Sequence, residues 1–89
     1  MSAKLSIITI TYQAEKFVER TIQSVISQGN RPEIEYIIID GASKDGTLAI
    51  VEKYRANIDI IVSEPDRGIY DAMNKGIQQA TGDYLIFMN

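Results

Sequence analysis

Eighty-nine residues, 45% of them apolar, are enough for one small layered domain that buries roughly 60–65% of its unfolded surface. A formal charge of −3, with no two Lys or Arg residues adjacent, argues against a nucleic-acid face, which needs clustered cations. Cys and His are both absent, which excludes disulfides, thiolate metal sites and any imidazole base or zinc ligand.

Leu5 to Thr11 is a short β-branched run suited to a strand buried on both faces. The period then changes: Phe17, Val18, Ile22, Val25 and Ile26 recur at helical spacing, with Glu15, Lys16, Glu19, Arg20 and Gln23 between them. The stretch Gly29-Asn30-Arg31-Pro32 ends that helix. Tyr36 to Ile39 is a second strand. Gly41 and Gly46 bracket a turn, and Asp45 can cap a helix carrying Leu48, Val51 and Tyr54. Ile58 to Val62 makes a third strand, ended by Pro65. Ile69, Ala72, Met73, Gly76, Ile77 and Ala80 then share one helical face, and Gly82 separates this helix from a fourth strand, Tyr84 to Met88. The order β-α-β-α-β-α-β predicts a three-layer, Rossmann-like α/β unit: one parallel sheet with right-handed crossovers and helices on its faces. No apolar run approaches the roughly 18 residues of a membrane span, and Met1 to Ser6 lacks the apolar region of a signal peptide. The expectation is a cytoplasmic domain.

Ligands of open parallel sheets bind outside the carboxyl ends of the strands. Polar residues gather at those ends here: Thr11-Tyr12-Gln13, Asp40-Gly41-Ala42-Ser43, Ser63-Glu64-Pro65-Asp66 and Asn89. The loop after the first strand holds no glycine, so a dinucleotide fingerprint and a P-loop are both absent there. The same loop lacks the acidic pair of a phospho-receiver. Asp40 to Gly46 is no calcium loop, because Ala42 and Lys44 stand where oxygen ligands belong. Asp40 follows an all-apolar strand, where a carboxylate is costly unless a ligand uses it or an Asx turn satisfies it; the sequence leaves both readings open. Ser43 and Asp45 read as caps of the following helix. Asp66-Arg67-Gly68 precedes a helix whose first amides could hold phosphate, with Asp66 as a simple cap the competing reading. Tyr12 is either a stacking platform or a lid on the core.

Together, Ser6 to Tyr12, Asp40 to Thr47, Ser63 to Gly76 and Ala80 to Asn89 resemble, in order, the N-terminal half of the family 2 glycosyltransferases, which have the GT-A fold. The resemblance covers essentially the whole chain. It implies that residues 1–89 are one partial GT-A domain binding a nucleotide-sugar donor, UDP-type first, with Thr11 and Tyr12 beside base and ribose. Asp40 and Gly41 would lie at the nucleoside, and Asp66, Gly68 and Asn74 near the pyrophosphate and sugar. Asn89 matches the first position of the family's D-x-D element, so the resemblance implies a divalent metal, Mn or Mg, held by aspartates beyond Asn89. It also implies a carboxylate base in the C-terminal half, no catalytic residue within these 89 positions, and an inactive fragment. The acceptor implied is a sugar or lipid-linked saccharide in polysaccharide biosynthesis, with the full protein cytoplasmic or peripheral to the inner membrane face. Four positions depart from the common pattern: Ile10 for Pro, Gln13 for Asn, Gly41 for the second acid of an Asp-Asp pair, and Met73 for Arg. A free-standing, non-catalytic interaction or nucleotide-binding module is the alternative. By analogy the strand order is 3-2-1-4, which leaves Tyr84 to Met88 at an edge and predicts self-association through it.

Overall fold

The computed structural model describes residues 3–27 and 33–88, so the helix stop at Gly29 to Pro32 and the expected metal-motif position Asn89 lie outside the described residues. Four strands, β1 (Leu5–Thr11), β2 (Ile34–Asp40), β3 (Ile60–Ser63) and β4 (Tyr84–Phe87), form one parallel sheet in the order β3-β2-β1-β4. Three helices connect them: α1 (Val18–Ile26), α2 (Thr47–Lys53) and α3 (Ile69–Gln79), with a 3-10 turn at Arg55–Asn57 before β3.

Two core clusters show why the sheet is covered on both faces. On one face Ile7, Tyr36 and Ile38 meet Val18, Ile22 and Val25 of α1 and Val51 of α2. On the other, Ile8, Ile37 and Ile39 meet Ala72 of α3. Neighbouring residues of β1 and β2 point to opposite faces, so an unbroken apolar run serves both layers. Within the first face the Thr9 and Tyr36 hydroxyls pair at 2.8 Å, and burial pushes the Tyr36 phenol above its ordinary value.

The amino end of the sheet is closed by Glu35, a buried acid to which the sequence analysis gave no role. Its Oε1 accepts from the Ser6 hydroxyl at 2.8 Å and the Thr81 amide at 2.9 Å. Its Oε2 accepts from the Thr81 hydroxyl at 3.0 Å and faces Lys4 Nζ at 3.5 Å. Burial pushes the Glu35 carboxyl up, but the Thr81 amide, the two hydroxyls and the Lys4 ammonium together hold it below the ordinary glutamate value. These bonds tie β1, β2 and the α3–β4 connection together.

Three apolar positions depart from the helical pattern. Phe17 precedes α1 and is 69% exposed, while Ile69 and Ile77 of α3 remain exposed. Helix α3 buries only Ala72 and Gly76, because small residues permit its close approach to β1 and β2. The strand limits shift slightly: β3 begins at Ile60, since Ile58 closes the 3-10 turn, and β4 ends at Phe87.

Candidate nucleotide site at the carboxyl edge of the sheet

Strand register sets the edge. Thr11 pairs with Asp40, and Asp40 with Ser63, so three polar residues line up across β1, β2 and β3. Asp40 is fully buried, and both its carboxylate oxygens are filled. Oδ1 accepts from the Thr11 hydroxyl at 2.8 Å and the Ser43 hydroxyl at 2.6 Å; Oδ2 accepts from the Ser43 amide at 2.8 Å and the Ser63 hydroxyl at 3.0 Å. Four donors meet the cost of burying this charge. The Asx-turn reading of Asp40 therefore describes its geometry, and Ser43 is bound to Asp40 rather than capping α2.

Asp45 does cap α2. Its Oδ1 accepts the Thr47 amide at 3.0 Å, and the Thr47 hydroxyl is the chief cause of a carboxyl held below the ordinary aspartate value. The same loop binds three successive amides of the β1–α1 loop: Gln13 N–H donates to Ser43 Oγ at 2.8 Å, Ala14 N–H to Thr47 Oγ1 at 2.8 Å and Glu15 N–H to Asp45 Oδ2 at 3.3 Å. Gln13 returns the contact, its Oε1 accepting the Lys44 amide at 2.6 Å and the Asp45 amide at 3.3 Å. Gln13 (φ 52°) and Ala42 (φ 63°) both occupy the left-handed region, a strained conformation for non-glycine residues that this cross-loop zipper sustains. Sequence reasoning missed the Gln13 clamp. A side chain bonding a loop some thirty residues away leaves no local pattern.

On this scaffold the structure brings Tyr12, Gly41 and Asp66 together. A Cβ at Gly41 would stand 2.7 Å from Asp66 Oδ2 and 3.3 Å from Tyr12 Cδ1, so both side chains lie close over this glycine. Tyr12 is 64% exposed and is no lid on the core. Asp66 Oδ1 accepts the Gly68 amide at 3.0 Å, and Gly68, at φ 114°, starts α3 in a conformation open to glycine. The loop is braced by Lys75, which donates to the Pro65 carbonyl at 2.8 Å and pairs with Glu64 at 3.2 Å. Asn74 lies exposed on α3, and no hydrogen bond joins it to the Tyr12–Gly41–Asp66 group among the described residues.

A cleft of about 450 Å³ opens between the end of β1 and the start of α1, lined by the apolar Ile10, Ala14, Phe17 and Val18 and the polar Thr9, Thr11, Arg20 and Thr21. It shares Thr11 with the polar rim, while Tyr12 and Asp66 are not part of its lining. Among the described residues no group of three or more acidic side chains could hold a metal ion. The aspartates on which the sequence resemblance places a divalent metal lie beyond Asn89.

The glycosyl transferase family 2 profile matches residues 6–89. The chain belongs to that family. It is 42% identical over 85 residues to an uncharacterized glycosyltransferase of Mycobacterium tuberculosis, covering 96% of this chain and 32% of the relative. Residues 1–349 of Staphylococcus aureus TarS in complex with UDP-GlcNAc superpose with a TM-score of 0.85 at 32% identity, covering 94% of this chain and 25% of that piece. The Pyrobaculum calidifontis mannosyltransferase in complex with GDP-Man and Mn²⁺ gives the same TM-score, 0.85, at 25% identity, covering 96% of this chain and 26% of that enzyme. The β3-β2-β1-β4 sheet is thus the Rossmann-like sheet of the GT-A fold. The chain spans a third or less of the length of these relatives, and 16% of whole TarS.

Proposed function

We propose that this chain binds the nucleotide-sugar donor of a glycosyltransferase that transfers a sugar to an acceptor hydroxyl in polysaccharide synthesis. The observation that carries the reading is the meeting of Tyr12, Gly41 and Asp66 at the carboxyl ends of β1, β2 and β3, the place where parallel sheets take ligands. The family supports it, as do two structural relatives solved in complex with UDP-GlcNAc and GDP-Man.

In this reading Tyr12 stacks on the nucleoside and Asp66 lines its pocket. Thr11, Asp40 and Gly41 hold the geometry of the rim, and Gly68 and Asn74 lie toward the diphosphate and sugar along α3. The donor is UDP-type first. The complete enzyme would use a divalent metal, as the Mn²⁺ complex of the mannosyltransferase suggests; such a metal would neutralise the leaving diphosphate. The 89 residues alone are proposed to bind donor without transferring its sugar. The test is calorimetric titration with UDP of the wild-type chain and of Tyr12→Ala, whose exposed side chain can be removed without opening the core. Loss of roughly tenfold in affinity, the scale of one base–aromatic stack, supports the site. Equal affinity in the two proteins places the nucleotide elsewhere.

A further inference from the structure

We propose that Asp66 is the base-reading residue of this site: its Oδ2 accepts the imino N–H of a uracil or guanine ring stacked on Tyr12. The inference rests on the donor-nucleotide reading above and names the chemistry that selects the base. Two aspartates belong to this rim, Asp40 and Asp66, and only one has an oxygen to offer. Asp40 is fully buried, with two donors on each oxygen. Asp66 spends Oδ1 on the Gly68 amide, and Oδ2 accepts no hydrogen bond among the described residues.

The glycine at residue 41 leaves room for that oxygen. The point where its Cβ would stand lies 2.7 Å from Asp66 Oδ2 and 3.3 Å from the Tyr12 ring. A Cβ there would meet the free end of the Asp66 side chain, which would have to turn aside. With glycine there, an uncommitted anionic acceptor lies no farther from the exposed Tyr12 ring than the sum of those two distances. A diphosphate would be repelled by that oxygen, so this part of the rim suits the uncharged nucleoside end of the ligand. A carboxylate accepts and never donates, so at the middle of a base edge it matches uracil N3–H or guanine N1–H. Against the lone pair that cytosine N3 or adenine N1 presents at the same place, it is unfavourable. Hydrogen bonds to charged groups are strong enough for this contact to discriminate by roughly tenfold or more.

The experiment compares UDP with its N3-methyl analogue, which keeps the ring and the stack but loses the imino hydrogen. GDP and its N1-methyl analogue form the second arm. Each is titrated into the wild-type chain and into Asp66→Ala. Whichever of UDP and GDP binds more tightly identifies the base. For that nucleotide, wild type is expected to bind the methylated form roughly tenfold more weakly, and Asp66→Ala to lose that preference. Asp66→Asn, which keeps the size and the cap to Gly68, is expected to weaken the preference as well. Nucleotide binding in which Asp66→Ala still rejects the methylated ring, or in which wild type does not reject it, overturns the base-reading role and leaves the donor site standing. Failure of both parent nucleotides to bind wild type overturns the donor site and this proposal together.

Discussion

Glu35 and Asp40 stand at opposite ends of β2, and both are buried carboxylates whose oxygens are filled by hydrogen bonds. Around Glu35 the neighbouring groups turn on one another: Ser6, Thr81 and Lys4 converge on it, and Gly82 N–H bonds back to Ser6 Oγ at 2.9 Å. Around Asp40 the inner shell is closed just as tightly, but a second shell is not. Tyr12 is exposed and one Asp66 oxygen is unspent beside it. Burial of a charge therefore does not distinguish the two ends. The uncommitted groups around it do. One end is a clamp, and the other is a scaffold that presents a ring and an acceptor to solvent.

Removing the two acids tests that contrast with the largest effects. Asp40→Ala strands four donors and is expected to destabilise the chain by about 3 kcal/mol and to weaken nucleotide binding, because the loops carrying Tyr12 and Gly41 lose their common anchor. Glu35→Ala is expected to cost about 2–3 kcal/mol in urea denaturation while the folded protein keeps its affinity for UDP. Equal damage to UDP binding from both substitutions would mean that the ends are not functionally distinct. Next in size is the reverse pattern: Tyr12→Ala should change stability by less than about 0.5 kcal/mol, as an exposed side chain does, yet lower UDP affinity.

A pH series sharpens the comparison from the Glu35 side. Its carboxyl is held below the ordinary glutamate value near 4.5, so the native state binds this proton less readily than the unfolded chain. The stability it contributes is fully present above that ordinary value and is lost as the pH falls through the depressed value of the folded protein. Urea midpoints below about pH 4.5 should therefore drop less steeply in Glu35→Gln than in wild type. Parallel acid limbs would show that the carboxylate is not tied as described. The smallest expected effect concerns β4, an outer strand of the sheet with Tyr84, Leu85 and Ile86 exposed. Its open edge is expected to pair weakly with a second copy, raising the mass seen by light scattering at high concentration, and Ile86→Lys should reduce that rise. A strict monomer would refute it.

Much of this architecture could be read from the chain. The β-branched runs and the period change after Thr11 located the strands and helices, and the family resemblance supplied the strand order that the sheet shows. Asp45 was recognisable as a cap because its partner, Thr47, is local. Partners far apart in sequence left no such trace. Gln13 meets the β2–α2 loop, and Glu35 meets Thr81, only once the sheet has formed. The same reason limited Asp40: its strand context announced a costly carboxylate, but the donors that satisfy it come from β1, β3 and the loop after β2. Phe17 misled because its spacing matched α1, whereas the helix starts one residue later and leaves the ring beside the cleft.

The measurement that tests the central claim most directly is an amide NMR titration of the chain with UDP, run without metal and with magnesium. Saturable shifts confined to Tyr12, Gln13, Gly41 to Ser43 and Asp66 to Gly68, with Ser6, Glu35 and Thr81 unmoved, are the expected result. Shifts centred on the Glu35 end, or a folded spectrum unchanged by UDP and equally by GDP, would contradict it.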